Sequence, residues 1–152
     1  MADLRHLTAL LLATLVPGCA YYCDAECYAG FRLTLTASEG LTSGAYELEL
    51  EVEGETQPLT CTVEGDGTGA CVGGDASDSF RVVGQVSPNI EGLTEITVFI
   101  EDRLDQRGPD RATIEVTFAD EVVGAADYEL EYETTECGCV VTSLQTLVLD
   151  LG

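Results

Sequence analysis

Apolar and polar residues alternate with a period of two along most of the chain beyond residue 30. The clearest run extends from Tyr46 to Val52, in which apolar residues alternate with glutamates. This alternation is typical of a β-strand that buries one face and exposes the other. The segments that we expect to be strands are 31–35, 46–52, 59–63, the vicinity of Cys71, 80–86 with an interruption at Gly84, 96–100, 114–118, 128–132 and 147–151.

Turn-forming residues separate these segments and favour short connections between neighbouring strands. The main clusters lie at 38–44, 73–79, 87–92, 107–110 and 120–124. No amphipathic helix of useful length follows residue 18, and 152 residues suffice for one domain. The fold class that we predict is therefore all-β: an antiparallel β-sandwich of about eight strands, held by disulfides.

The first 18 residues differ from the rest and predict a signal helix that is removed on export. Residues 7–16 are uncharged and rich in leucine, and Arg5 precedes them. Such a stretch is too short to cross a bilayer but suits the apolar region of a signal peptide. We therefore divide the chain into a signal peptide (1–18), a cysteine-bearing N-terminal segment (19–30) and a single β-sandwich domain (31–152).

The junction that ends the leader carries a recognisable pattern. Its residues, Val16-Pro17-Gly18-Cys19, resemble the lipobox of bacterial lipoproteins. The resemblance implies that Cys19 is lipidated and becomes the N-terminus of the mature chain. It also implies an anchor in the outer membrane, because Ala20 replaces the aspartate typical of inner-membrane retention. In architecture the chain is similar to the small cysteine-bearing envelope lipoproteins of Gram-negative bacteria.

Two other interpretations of the leader stay open. Gly18 and Ala20 form a pair of small residues that suits ordinary cleavage after Ala20, which would release a soluble secreted protein. Alternatively, the apolar residues 7–16 would form a buried helix of a cytoplasmic protein. The fate of Cys19 distinguishes the lipid-anchored form from the secreted form.

The number of cysteines is consistent with export. The chain has seven: Cys19, Cys23, Cys27, Cys61, Cys71, Cys137 and Cys139. Loss or lipidation of Cys19 leaves six, enough for three disulfides in an oxidising compartment. Cys61 and Cys71 flank the glycine-rich turn 65–69, so we expect a disulfide across that hairpin. The other four would join the start of the domain to its end, or, as an alternative, form a four-thiolate zinc or iron–sulfur site.

The charge of the chain excludes one large class of partner. Its formal net charge is −22, with 28 acidic residues and six arginines but no lysine. Nucleic acids are excluded, because phosphate binding requires many basic side chains. An anionic membrane surface is repelled as well, which leaves the N-terminal lipid as the contact with a membrane. Cations and basic proteins remain electrostatically suitable partners, although the charge can also serve solubility alone.

The scarcity of basic side chains also excludes most catalytic sites. The single histidine, His6, lies in the leader. A mature chain without His or Lys cannot build a Ser-His-Asp triad, a lysine Schiff base or a His-ligated metal centre. A carboxylate pair of the glycosidase type stays available, but tryptophan, which often stacks sugars, is absent. We therefore predict a non-enzymatic binding or structural module of the cell envelope, or alternatively a secreted domain that binds calcium or a basic partner.

Acidic residues concentrate on the outward side of two predicted strands. Glu47, Glu49, Glu51 and Glu53 share one strand face, and Glu129, Glu131 and Glu133 share another. Like charges on neighbouring strands repel, so we expect the two strands to be separated in the sheet or to lie at edges.

Calcium is the one cofactor that the acidic loops suggest, since it takes oxygen ligands from clustered carboxylates. The candidate ligands are Glu101, Asp102, Asp105 and Asp110, and a second group is Asp66, Asp75 and Asp78. Neither group matches an EF-hand loop. The alternative for residues 101–110 is a solvated hairpin turn in which nearby arginines balance the carboxylates.

Overall fold

The structure, a computed structural model, describes residues 30–102, 108–132 and 143–152. These ranges contain nine strands: β1 (Phe31–Thr36), β2 (Gly44–Val52), β3 (Glu55–Val63), β4 (Gly69–Gly73), β5 (Phe80–Pro88), β6 (Thr94–Asp102), β7 (Arg111–Phe118), β8 (Glu121–Glu129) and β9 (Ser143–Val148). A four-stranded sheet has the order β5-β6-β1-β9, and a five-stranded sheet the order β4-β3-β2-β7-β8. Neighbouring strands are antiparallel except β1 and β9, which are parallel. The predicted all-β sandwich is confirmed.

The two sheets pack through the apolar residues of each alternating strand. On β2, the side chains of Tyr46, Leu48, Leu50 and Val52 are buried, while the residues between them face solvent. The Tyr46 ring stacks on Phe118 with 4.6 Å between the ring centroids. β2 lies at the centre of the five-stranded sheet, so its inward side chains form the middle of the core.

A disulfide joins β3 and β4, as the spacing of the cysteines predicts. Cys61 and Cys71 are direct partners in the antiparallel register, and the Cys61 side chain is fully buried. The facing strand of the other sheet has a glycine, Gly84, where a Cβ atom would lie 2.6 Å from the Cys71 Sγ atom. β5 runs through Gly84 without a break, so the expected interruption is wrong. This glycine gives the disulfide its space between the sheets.

Two hairpin turns lie where the alternation pattern did not place them. Glu53 and Gly54 connect β2 to β3, and Ala119 and Asp120 connect β7 to β8. All four residues have positive φ, the backbone conformation of a tight two-residue hairpin turn. Glu53 therefore lies in a turn and not on the face of β2. The expected turn at 120–124 is also wrong, because β8 already begins at Glu121.

The last two strands are shifted relative to the sequence expectation. β8 ends at Glu129, so Leu130 and Tyr132 follow the strand, although both still pack against the core. β9 begins at Ser143, earlier than the expected 147, and ends before the buried Leu149. Parallel pairing of β9 with β1 brings the C-terminal part of the chain beside its first strand. No helix in the described residues is long and apolar enough to cross a membrane.

One polar side chain is enclosed in this core. Gln57 on β3 is fully buried, and its Oε1 atom accepts a hydrogen bond of 3.2 Å from the Ala76 backbone N–H. Its Nε2 atom has no hydrogen-bond partner within the described ranges. The hydrogen bond from the loop N–H compensates part of the free energy that is lost when the side-chain amide leaves water. Gln57 thus ties the loop between β4 and β5 to the sheet.

Candidate functional site

The outward side of the five-stranded sheet is an acidic surface, which we name the acidic face. It carries six exposed carboxylates, contributed by β2, β7 and β8: Glu47, Glu49, Glu51, Glu115, Asp127 and Glu129. They project outward because successive side chains of a strand point to opposite faces, and each of these residues is next in sequence to a residue that points inward. Arg111 is the basic residue on these three strands. Six carboxylates and one guanidinium give the acidic face a net charge of −5.

The strand order explains how so many carboxylates share one sheet. β7 separates β2 from β8, so the expected separation of the two glutamate-bearing strands is confirmed. The neighbouring strand β7 nevertheless brings one like-charged pair together, since Glu49 and Glu115 are direct partners in the antiparallel register. Like charges that face each other across a strand pair destabilise a sheet. The sequence pattern did not predict this pair.

Local partners neutralise little of the acidic face. The Arg111 Nη2 and Glu129 Oε1 atoms are 3.5 Å apart, and both side chains are largely exposed. Such exposed ion pairs contribute little to stability. The Thr113 hydroxyl donates a hydrogen bond of 2.7 Å to Asp127 and supplies no positive charge. The face therefore presents a persistent negative potential to solvent.

Replacing Glu49 by Gln is expected to raise the free energy of unfolding by about 0.5 kcal/mol at low salt, because it removes the repulsion from Glu115. The matched control is Glu47→Gln, since Glu47 faces Thr60 and Thr117. Urea denaturation would measure both variants at low and at high salt. The gain of Glu49→Gln should exceed that of the control and shrink as salt screens the charges. Equal gains for the two variants would contradict a specific Glu49–Glu115 repulsion.

The outward side of the four-stranded sheet is different, and we name it the mixed face. Its outward side chains are Arg81, Val83, Gln85, Ser87, Glu95, Thr97, Phe99, Glu101, Arg32, Thr34, Thr36, Leu144, Thr146 and Val148. Two arginines and two glutamates balance, so this face has no net charge. A shallow open groove of about 460 Å³ lies along β5 and β6, with Arg32 at its side.

One row of residues crosses the whole mixed face. In the sheet register, Val83 pairs with Phe99, Phe99 with Arg32, and Arg32 with Leu144. The Arg32 guanidinium lies 5.9 Å from the centre of the Phe99 ring, within the range of a cation–π contact. The alternation predicts that Phe99 and Arg32 point outward, but only the strand order makes them neighbours.

The charged residues of the mixed face are unequally paired. The Arg81 Nη1 and Glu101 Oε1 atoms are 3.4 Å apart. Glu95 accepts a hydrogen bond of 2.8 Å from Asn89 Nδ2 and has no basic partner among the described residues. Within the same ranges, Arg32 makes no ion pair. The mixed face thus carries one cation and one anion whose charges are not locally matched.

The candidate calcium ligands are only partly described. Glu101 and Asp102 end β6 in the four-stranded sheet, Asp110 precedes β7 in the five-stranded sheet, and Asp105 lies outside the described residues. The connection between β6 and β7 passes from one sheet to the other, so the alternative of a hairpin turn is wrong. The Asp110 N–H donates a hydrogen bond of 2.7 Å to Glu53 Oε1. In the described part of the chain, no three acidic, His or Cys side chains form a group that could hold a metal ion.

The second acidic group is spread over two loops. Asp66 lies in the turn between β3 and β4, whereas Asp75 and Asp78 lie between β4 and β5. The Asp66 carboxylate accepts hydrogen bonds from the Thr68 hydroxyl (2.6 Å) and the Thr68 N–H (3.0 Å). These bonds, the hydroxyl first, lower the pKa of Asp66 below its ordinary value. At a pH above the pKa that Asp66 has in the unfolded chain, its carboxylate thus stabilises the hairpin turn. This contribution to stability is lost as the pH falls through the lowered pKa of the folded protein.

Several sequence predictions concern residues outside the described ranges. These are the leader, the lipidation site Cys19, the calcium candidate Asp105, Glu133 of the predicted glutamate face, and the cysteines Cys23, Cys27, Cys137 and Cys139. Their lipidation, pairing or metal binding stays a prediction. Cys61 and Cys71 are the predicted cysteines that the described structure joins.

Comparison with known proteins gives no relative from which a function could be transferred. No protein-family model, no curated protein and no solved structure matches the chain. The disulfide and the acidic face of the sandwich are therefore the basis for assigning a function.

Proposed function

We propose that this chain is a lipid-anchored envelope protein whose β-sandwich acts as a non-enzymatic binding or structural module. The observation that carries the proposal is the Cys61–Cys71 disulfide at the core of the sandwich. Structural disulfides form and persist in oxidising compartments such as the periplasm and are rare in the cytosol. The disulfide and the apolar leader thus support export independently of each other, and the lipobox-like junction supports anchoring through Cys19.

Binding is favoured over catalysis by the side chains that remain after the leader. The chain beyond Cys19 has neither His nor Lys, so nucleophilic and acid–base chemistry would depend on carboxylates alone. The carboxylates of the acidic face are exposed on an open sheet surface. A carboxylic acid that donates a proton in catalysis usually requires a shielded environment. An extended charged face is better suited to contact with another macromolecule.

The acidic face determines the chemistry of an external partner in this proposal. Six carboxylates on one side of a sheet attract basic proteins and repel nucleic acids and anionic lipids. The Glu49–Glu115 pair places two carboxylic side chains opposite each other on adjacent strands, which supports a role for the face beyond solubility. A secreted, unanchored domain that binds calcium or a basic partner is the second candidate, and the acidic face supports its basic partner equally.

The intact mass of the mature protein from its native envelope separates these two candidates. The protein is measured by mass spectrometry before and after reduction and alkylation. We expect a chain that begins at Cys19 and carries acyl groups. Six thiols should become alkylatable only after reduction, because the six cysteines other than Cys19 form three disulfides in the native protein.

Two other results would contradict the anchored module. A chain that begins at Tyr21 without lipid would identify a secreted domain, and binding of calcium or a basic partner would become its leading function. Free thiols before reduction would contradict the three-disulfide arrangement and favour a thiolate metal site at the four cysteines outside the described residues. A Cys19→Ala variant serves as the control, since it abolishes lipid attachment and leaves the sandwich unchanged.

A further inference from the structure

The mixed face is an outward surface of neutral charge on a strongly acidic protein. The chain has a net charge of −22 and the acidic face a net charge of −5, whereas the mixed face has none. It also exposes apolar surface: Val83, Leu144 and Val148 are 43%, 66% and 64% exposed. Exposed apolar side chains that share one face mark an interaction surface more often than scattered ones do.

The charges of the mixed face are complementary to those of a second identical face. Each copy presents one cation, Arg32, and one anion, Glu95, that have no ion-pair partner among the described residues. In a dimer with a two-fold axis in the plane of contact, a residue of the first copy faces a different residue of the second copy. The same two residues then face each other again with the copies exchanged. Two unmatched charges of opposite sign can then form two equivalent ion pairs.

We propose that two copies of this chain associate face to face through their mixed faces. The Val83–Phe99–Arg32–Leu144 row provides the apolar and aromatic contact, and the two Arg32–Glu95 pairs set the orientation. The acidic faces of the two copies then point away from each other, on opposite outer sides of the dimer. A pair of envelope proteins would thus present two acidic faces to its surroundings.

The charge distribution favours a second copy over other occupants. A basic partner gains far more from the acidic face, and an anionic partner is repelled by the whole chain. Four strands about 4.8 Å apart, each about seven residues long at 3.4 Å per residue, cover roughly 450 Å² per copy. The total of roughly 900 Å² is close to the lower limit of specific interfaces, so the dimer is expected to be weak and reversible.

The oligomeric state of the full chain in solution tests the proposal. The full chain carries Cys19→Ala, so that a lipid cannot cause association. Analytical ultracentrifugation over two orders of magnitude in protein concentration should show a monomer–dimer equilibrium. Added salt should strengthen association, because it screens the repulsion between two highly acidic chains. Association that weakens with salt, or a monomer at every concentration, would overturn the proposal.

Matched variants locate the contact. Arg32→Glu should weaken dimerisation at least tenfold, and adding Glu95→Arg should restore most of it. Arg111→Glu makes the same change of charge on the acidic face and should alter dimerisation less than twofold. Leu144→Glu and Val122→Glu form a second pair at exposed positions on opposite sides of the sandwich, of which only Leu144→Glu should prevent association. Equal effects within either pair would place the contact elsewhere and overturn the proposal.

Discussion

Replacing Tyr46 with alanine is expected to lower the free energy of unfolding by about 3–5 kcal/mol. Its side chain is fully buried near the start of β2, and its ring stacks on Phe118. Removing the ring leaves a cavity between the sheets and removes a stacking contact. The Tyr46 hydroxyl also donates a hydrogen bond of 3.0 Å to the Thr42 carbonyl, which holds the loop before β2. Urea denaturation followed by circular dichroism measures the loss.

Tyr46→Phe separates the contribution of the ring from that of the hydroxyl. This variant keeps the ring and its contact with Phe118, and it removes only the hydrogen bonds of the hydroxyl to the Thr42 carbonyl and the Thr42 side chain. We expect a loss of about 1–2 kcal/mol, typical of one or two hydrogen bonds. If Tyr46→Phe cost as much as Tyr46→Ala, the hydroxyl and not the packed ring would be the main contribution of this residue.

Removing the Cys61–Cys71 disulfide is expected to cost about 3 kcal/mol. The bridge closes a loop between residues ten positions apart, and loops of this size give about 3 kcal/mol in the chain-entropy description. The double variant Cys61→Ala with Cys71→Ala also removes the Cys71 sulfur atom packed near Gly84. Equilibrium urea unfolding against the unaltered protein measures the change without reducing the other cysteines.

The control for the disulfide lies at the next position of the same hairpin. Thr62 pairs with Ala70 and is exposed, so Thr62→Ala should change stability by less than about 0.5 kcal/mol. A loss below 1 kcal/mol for the double alanine variant would mean that strand pairing and core packing hold β3 and β4 without the bridge. It would also weaken the structural argument for an oxidising compartment.

The alternation of inward and outward side chains along each strand separates the residues that stabilise the fold from those proposed for binding. The residues whose removal should cost most, Tyr46 and the cysteine pair, are on inward positions. The residues proposed for binding, such as Glu49 and Arg32, are on outward positions of the same sheets. Substitutions on either outer face should therefore alter association or charge with small effects on folding, which makes the proposed variants interpretable.

The alternation of residue types was sufficient for predicting most strands and the direction of their side chains. A period of two is a local property, and the alternate apolar residues Tyr46–Val52 of β2 and Ile96–Ile100 of β6 lie inward as that period requires. The hairpin disulfide was also predictable, because Cys61 and Cys71 flank a short glycine-rich turn. The connection at Ala119 and Asp120 was missed, since neither residue belongs to the Asn-Gly or Asp-Gly pairs that usually mark such turns.

By itself, the sequence determined the all-β class, the buried and exposed sides of the main strands, the net charge, and the absence of His and Lys beyond Cys19. Only the tertiary structure decided which outward residues become neighbours. It placed Glu115 opposite Glu49, Arg32 between Phe99 and Leu144, and the C-terminal strand parallel to the first. The physical reason is that side-chain direction follows from the local pleat, whereas strand order and register depend on how distant segments share one core.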